Sequence, residues 1–171
     1  MKSAGEMVYV ALGSNLGDSK ANVRNALGRL QGLSSVPVLA SSLWRSTPVD
    51  CPPGSPEFIN AVARLAPLRG DTPETLLANL QRLEKEFGRT PKKILNEARP
   101  LDLDLIAFGT EVRSTPELIL PHPRAHLRKF VLGPLAEIAP DLILPGQKKS
   151  VRELLANLRT DEVVEKLSSA S

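Results

Sequence analysis

Two aspartates in an otherwise apolar run are the residues best suited to chemistry. The run extends from Arg99 to Phe108, and Asp102 and Asp104 lie two residues apart within it. On a β-strand, alternate side chains point to opposite faces, so both carboxylates would project from one face and the neighbouring leucines from the other. Their Cβ atoms would lie roughly 6–7 Å apart, where like charges repel unless a cation or water intervenes. The pattern indicates either a cation site or an edge strand with one solvated face.

Basic residues flank this acidic pair along the chain. Arginines and lysines cluster in residues 89–99 and 124–129, although the formal net charge is only +3. Carboxylates and arginines together suit hard cations and phosphate oxygens, and Mg²⁺ shared with nucleotide phosphates is the natural occupant. Nucleic acid is another partner for a basic cluster, but four Phe, one Tyr and one Trp offer few rings for base stacking.

Two other local patterns suggest chemistry but lack part of their motif. Residues 13–18 form a glycine-containing turn before a helix, yet neither a P-loop nor a dinucleotide-binding fingerprint is present. His122 and His126 are four residues apart, but no glutamate follows His122 and no third nitrogen or sulfur ligand is evident. We therefore expect that neither pattern forms its usual site.

Length and composition predict a single globular domain over residues 1–171. Of the 171 residues, 42% are hydrophobic and 24% are charged. No span approaches the length of a membrane-crossing helix, and the apolar run at residues 7–12 is too short for a signal sequence. The single cysteine, Cys51, excludes an internal disulfide and fits a reducing compartment, so a cytoplasmic location is expected.

The order of predicted elements favours an antiparallel sheet with helices packed on it. Short apolar runs predict strands at residues 6–12, 36–45, 58–65, 101–108 and 111–119. Helices are expected after Gly17, from Thr72 as N-cap, and over residues 151–158, with a final helical turn from Asp161. The β-α-β-β-α-β order is typical of an α+β, ferredoxin-like fold.

Three polar residues on these elements have two possible roles each. Asn60 on the third strand could bind a planar heterocycle or brace a neighbouring loop. Gln81 and Glu84 lie three residues apart beside the apolar stripe of the second helix, where most such pairs are simply solvated. The residues alone leave these alternatives open.

Several motifs in order along the chain resemble one family. The whole chain resembles the hydroxymethyl-dihydropterin pyrophosphokinases of folate biosynthesis, from near residue 8 to about residue 145. The matching motifs are residues 10–17, 58–60, Glu84 with Arg89, 99–104, 121–124, 128–132 and 134–140. The resemblance implies transfer of the β,γ-pyrophosphoryl group of ATP to the hydroxymethyl oxygen of a dihydropterin, leaving AMP.

The resemblance also implies roles for individual residues. The implied catalytic residues are Arg89, Arg99, Asp102 and Asp104, and the two aspartates would hold two Mg²⁺ ions that bridge the triphosphate. The implied pterin-binding residues are Thr47, Val49, Phe58, Asn60 and Phe130. The implied ATP-binding residues are Gln81, Glu84, Arg89, Arg99, His122 and Arg128. A monomer that binds only small molecules, without nucleic acid or membrane, is expected.

One segment departs from the family pattern. Relatives place a basic or aromatic residue and then Gly-Pro before the motif arginine, whereas this chain has Leu95-Asn96-Glu97-Ala98 before Arg99. The contacts of the basic loop at residues 89–99 therefore do not carry over from the family. Two alternatives remain beside the pyrophosphokinase: a ferredoxin-like nucleic-acid-binding module, and a relative that binds pterin or ATP without reacting.

Overall fold

A computed structural model of the chain describes residues 6–47, 54, 56–88 and 98–167. Its strands are β1 (Val8–Ser14), β2 (Leu39–Ala40), β3 (Trp44–Ser46), β4 (Phe58–Leu65), β5 (Asp102–Phe108), β6 (Arg113–Ser114), β7 (Ile119–Leu120) and β8 (Val164–Lys166). Its α-helices are α1 (Ser19–Leu30), α2 (Pro73–Glu86), α3 (Lys129–Ile138) and α4 (Val151–Asn157). Short 3₁₀ helices span Gln31–Leu33 and Ala125–Leu127.

The main sheet is antiparallel, with the strand order β5-β1-β4-β3-β8. Strand β2 also pairs with β4, and β6 and β7 form a separate hairpin. At the centre of the sheet, Ala11 on β1 lies between Val62 on β4 and Asp104 on β5. This register sets the position of the acidic pair relative to the rest of the sheet.

The sheet lies between two pairs of helices, and each face has its own apolar cluster. One face packs residues such as Leu12, Leu103 and Leu105 against α1 and α2. The other face packs Val62 and Ile106 against α3 and α4. Because side chains alternate along a strand, burying Leu103 and Leu105 on the first face directs Asp102 and Asp104 toward the second.

Helix starts follow the local sequence signals closely. Thr72 caps α2 in a capping box with Thr75, and Pro73 occupies the first turn. Ser150 and Glu153 form the predicted capping box of α4.

The ferredoxin-like expectation of an antiparallel sheet covered by helices is confirmed. In the part of the chain that the structure describes, no helix is long and apolar enough to cross a membrane.

Three sequence expectations about strands and helices are wrong. The strand expected at residues 36–45 is broken into β2 and β3, and that expected at residues 111–119 is the β6–β7 hairpin. The chain after Asp161 forms strand β8 instead of a helical turn, because it pairs with the open edge of β3. In each case a partner distant in sequence, or a turn, overrides the local apolar pattern.

The break between β2 and β3 is held by Glu137 of α3. Its carboxylate accepts hydrogen bonds from the Ser42 N–H at 3.0 and 3.1 Å, the Ser42 hydroxyl at 2.6 Å and the Trp44 indole N–H at 3.0 Å. Burial would raise the pKa of Glu137, but the hydrogen bonds from Ser42 and Trp44 outweigh it and hold this pKa below its usual value. Glu137 thereby ties α3 to the sheet edge.

The Glu137→Gln substitution should lower the free energy of unfolding at pH 7 by about 1–3 kcal/mol, because charge-assisted hydrogen bonds are replaced by weaker ones. The wild-type advantage should shrink as the pH falls below 4.5, the ordinary pKa of the group, since the carboxylate then becomes protonated. Urea unfolding at pH 7 and pH 4 measures both values. The exposed Glu117 supplies the control: Glu117→Gln should change neither, and equal effects of the two substitutions would contradict the assignment.

Candidate active site

A cavity of about 350 Å³ opens on the sheet face that carries α3. Its volume and its mixed polar and apolar walls are typical of a small-molecule site. The predicted site residues that line it are Thr47, Phe58, Asn60, Arg99, Asp102, Asp104, Arg128 and Phe130. Residues implied for metal, phosphate and pterin binding are therefore brought together by β1, β3, β4, β5 and the start of α3.

The acidic pair lies on the floor of this cavity. Asp102 is opposite Gly13 on β1, and Asp104 is opposite Ala11, so neither carboxylate is covered by a large side chain of that strand. Burial, together with the nearby Asp102 carboxylate, raises the pKa of Asp104 to about 7, although the Arg128 charge opposes the rise. A site that disfavours two negative charges in this way suits a bound cation.

Arg99 bridges the acidic pair and the turn after β1. Its Nη1 lies 3.5 Å from Oδ2 of Asp102. Its backbone is fixed by Asn15, whose Oδ1 accepts the Arg99 N–H at 2.8 Å and whose N–H donates to the Arg99 carbonyl at 3.1 Å. The Asn15 Nδ2 also donates to the Pro56 carbonyl at 3.4 Å. Asn15 is only 1% exposed, and its hydrogen bonds join the chain at Arg99 to the chain at Pro56.

Glu84 connects α2 to the acidic strand. Its Oε2 accepts the N–H of Leu103, the residue between the two aspartates, at 2.7 Å. This contact fixes the backbone of β5 between the two aspartates, so Glu84 has a positioning role whatever else it binds. Gln81 is exposed on α2. The predicted residues Arg89 and Val49 lie outside the described residues.

His122 lies close to Arg128 and Asp102, two charged residues that line the cavity. The backbone N–H of His122 donates to the Ile106 carbonyl at 2.9 Å, and the ring Nδ1 accepts the backbone N–H of Arg124 at 3.1 Å. Burial, together with the Arg128 charge, lowers the pKa of His122 to about 4, although Asp102 opposes the change. At neutral pH the imidazole is therefore uncharged, with its proton on Nε2 available as a donor.

Two phenyl rings line the cavity. Phe58 begins β4 and Phe130 lies in the first turn of α3, where the Arg128 guanidinium is 5.5 Å from its ring centroid. Asn60 is buried, and its Nδ2 donates to the Ser46 hydroxyl at 2.7 Å. That contact fixes the amide and leaves the orientation of Oδ1 defined. The arrangement suits a flat heterocycle with polar edges.

Among the residues that line or support the site, sequence reasoning did not single out Asn15, Ser46 and Glu162. Asn15 belongs to the Gly-Ser-Asn turn after β1, where its polar side chain was the available signal. Ser46 orients Asn60, but a lone serine at a strand end carries no pattern of its own. Glu162 lines the cavity from the segment before β8, a region for which the local pattern predicts the wrong secondary structure.

Comparisons with known proteins point to one family. Residues 9–140 match the family model described as 7,8-dihydro-6-hydroxymethylpterin-pyrophosphokinase. A Haemophilus influenzae relative is 40% identical over 145 residues, which cover 82% of this chain and 86% of the relative. A Pseudomonas aeruginosa relative is 41% identical over 155 residues, which cover 88% and 91% of the two chains. Both are named 2-amino-4-hydroxy-6-hydroxymethyldihydropteridine pyrophosphokinase.

Solved structures share the fold at low sequence identity. The wild-type Plasmodium falciparum HPPK-DHPS with pteroate superposes with a TM-score of 0.68 at 12% identity. The match covers 88% of this chain and 42% of that chain. A second structure, an HPPK-DHPS in complex with substrates, has the same TM-score, and the match covers 43% of its chain. This chain thus spans about two fifths of those solved chains. At this identity the likeness shows the fold alone.

The Asn15→Ala substitution should loosen the Arg99 backbone, because it removes the side-chain acceptor that holds the Arg99 N–H. Amide hydrogen exchange at Arg99 should become faster by about tenfold or more, and the melting temperature should fall. Asn25→Ala on the exposed face of α1 is the matched control and should leave Arg99 protection intact. Unchanged exchange at Arg99 in Asn15→Ala would rule out the link.

The Asp104→Asn substitution should stabilise the protein at pH 8. The folded protein binds a proton at Asp104 near pH 7, whereas the unfolded chain binds it near the ordinary value of 3.8, so stability falls as the pH rises through this window. Removing the charge should raise the free energy of unfolding by about 1–3 kcal/mol at pH 8 and by less at pH 5. Urea unfolding in metal-free buffer measures this difference, with the exposed Asp161→Asn as control. A gain that is the same at both pH values would contradict the raised pKa.

Proposed function

The chain belongs to the 7,8-dihydro-6-hydroxymethylpterin-pyrophosphokinase family, and on that premise we propose how its residues divide the work of the reaction. It is an ATP-dependent diphosphotransferase that transfers the pyrophosphoryl group of ATP to the hydroxymethyl group of a dihydropterin in folate biosynthesis. The observation that supports these metal-binding and pterin-binding roles is the cavity, which is lined by both an acidic pair and two phenyl rings.

The reaction requires positioning and charge stabilisation. A P–O bond forms between the hydroxymethyl oxygen and the β-phosphorus, and the bond from that phosphorus to the bridging oxygen of the α-phosphate breaks. AMP leaves with the bridging oxygen, and the hydroxyl proton is released. We expect no covalent enzyme intermediate, so the protein acts by aligning the two substrates and by compensating the triphosphate charge.

Asp102 and Asp104 are the residues that would hold Mg²⁺ in this site. The donor set fits the ion, because two carboxylates share one cavity face, where burial and then their mutual repulsion raise the pKa of Asp104. When bound, two Mg²⁺ ions would neutralise the triphosphate and favour attack at the β-phosphorus. Among the described residues, no cluster of three or more acidic, His or Cys side chains forms a complete metal site, so substrate phosphates and water would supply the remaining ligands.

Phosphate oxygens would be bound by cationic and neutral donors around the acidic pair. Arg99 and Arg128 line the cavity beside Asp102 and Asp104, and both guanidinium groups can donate two hydrogen bonds at once. His122 would donate from Nε2 while uncharged, because its Nδ1 is occupied by the Arg124 N–H. Arg89 is proposed for the same role from the family motif. Gln81 and Glu84 on α2 would help to seat the nucleotide.

The pterin would stack at the other end of the cavity. Phe58 and Phe130 supply the two rings, and Asn60 offers its amide to the edge of the heterocycle. Backbone groups of Thr47 and Val49 would complete the recognition of that edge. Fixing the ring in this way aims its hydroxymethyl group toward the acidic pair, where the β-phosphate would lie.

The assembly and location of the protein are further parts of this proposal. We propose a single domain over residues 1–171 that acts as a monomer. The partners would be small molecules, without nucleic acid or membrane. A lone cysteine and the use of ATP support a cytoplasmic location.

Purified protein given ATP, Mg²⁺ and hydroxymethyl-dihydropterin should form AMP and the pterin diphosphate in equal amounts, measured by chromatography. Asp102→Ala and Asp104→Ala should each reduce kcat on the order of 100-fold or more, because each removes a proposed Mg²⁺ ligand. The exposed Asp161→Ala is the control and should retain full turnover.

Release of ADP in place of AMP, or full activity in both site variants, would overturn this function. Tight binding of pterin or ATP without AMP formation would instead identify a non-catalytic relative. Salt-dependent RNA binding that survives loss of both aspartates would favour the nucleic-acid-binding module.

A further inference from the structure

Glu162 lines the cavity from a part of the chain that the family match does not reach. It lies between α4 and β8, whereas the family model ends at residue 140. The same cavity is lined by Thr47, Asn60 and Phe130, the residues proposed to surround the pterin. A charged side chain at this position therefore adds to the pterin end of the site a group that the motif residues do not supply.

One oxygen of the Glu162 carboxylate is held by protein donors. Its Oε1 accepts the backbone N–H of Lys129 at 3.4 Å and the hydroxyl of Thr160 at 3.3 Å. Lys129 is the first residue of α3, and Phe130 follows it, so the carboxylate is tied to the helix turn that carries the ring. The Thr160 hydroxyl also accepts the Glu162 N–H at 3.2 Å, which fixes the backbone of the same residue.

The other oxygen is buried and has no hydrogen-bond partner. Among the described residues, no donor reaches Oε2 of Glu162, although solvent does not reach it either. An unsatisfied buried carboxylate oxygen is unfavourable, and most such groups in native proteins have a partner. Because Glu162 lines the cavity, a small rotation of its carboxylate would turn this oxygen toward a donor that a bound molecule can bring.

The segment that carries Glu162 is locked to the edge of β3. The Thr47 N–H donates to the Val163 carbonyl at 3.1 Å, and the Val163 N–H donates to the Thr47 hydroxyl at 3.4 Å. These bonds extend the pairing of Ser46 with Val164 by one residue. Glu162 is therefore held beside the backbone proposed to recognise the pterin edge.

The substrate presents more donors on that edge than Asn60 can satisfy. A 2-amino-4-hydroxypteridine in its oxo form carries an amino group beside a ring N–H, two adjacent donors arranged as in a guanidinium group. Asn60 uses its Nδ2 on Ser46, which leaves one amide oxygen to accept. A carboxylate is the group that matches two parallel N–H donors.

We propose that Glu162 is a further specificity-determining residue, and that its carboxylate accepts a hydrogen bond from the 2-amino edge of the pterin. This assignment rests on the proposed function, since it requires the pterin to lie in this cavity. It predicts selection for heterocycles that carry an amino group next to a ring N–H, over analogues that lack it. A residue that only capped α3 would not make this selection.

The test is Glu162→Gln, which retains an acceptor for the Lys129 N–H but directs an amide N–H₂ group toward the ligand. The KM for the pterin should rise by about 10–100-fold, because a charge-assisted hydrogen bond is replaced by opposed donors. The KM for ATP should stay within about twofold of wild type, since no phosphate contact changes. Glu165→Gln is the matched control, because Glu165 lies on the exposed side of β8.

A 2-deamino analogue of the pterin separates recognition from structural support. Wild type should bind the analogue about 10–100-fold more weakly than the parent compound by calorimetry, and Glu162→Gln should bind the two with similar affinity. An unchanged pterin KM in Glu162→Gln would overturn the assignment. So would equal losses for ATP and pterin with a lower melting temperature, which indicate a helix cap only. Wild-type protein that binds no pterin would instead overturn the proposed function.

Discussion

The register of β5 against β1 is the constraint on which the site depends. Leu103 and Leu105 are buried among α1 and α2, and a shift by one residue would place Asp102 and Asp104 in that apolar cluster instead. The hydrophobic core thus holds two like charges on one cavity face, where their own interaction is repulsive. The alternation of side chains along β5 therefore both buries the leucines, which stabilises the sheet, and places the two carboxylates together, which suits a cation.

Two hydrogen bonds to the backbone hold the acidic pair and Arg99 in position. Glu84 holds the strand between the aspartates, and Asn15 holds Arg99 just before them. Both contacts join protein groups only, so they would organise the proposed phosphate-binding residues without a ligand. Preorganisation of this kind is what a reaction without a covalent intermediate requires, because its catalysis comes from alignment and fixed charges.

The parts of the fold that sequence predicts are those with local causes. The alternation of β5 and the capping boxes of α2 and α4 depend on residues a few positions apart. Strand β8 and the break before β3 depend on Thr47 meeting Val163 and on Ser42 meeting Glu137, pairs separated by 116 and 95 positions. No local pattern carries such information. Motif order implied a role for each predicted site residue, but not the hydrogen bonds that hold these residues in place.

Three partly buried acids in this fold show how hydrogen-bond capacity separates structural from binding roles. Glu137 accepts bonds on both oxygens from Ser42 and Trp44, so its charge is already compensated within the fold. Glu162 has donors on one oxygen and none on the other, and Asp104 is held against another carboxylate. Glu137 contributes to stability through its compensated charge, whereas the unpartnered oxygen of Glu162 and the raised pKa of Asp104 belong to two acids that line the cavity. In the proposed complex, Mg²⁺ would supply the positive charge that Asp104 lacks, and the amino edge of the pterin would supply the hydrogen-bond donor that Glu162 lacks.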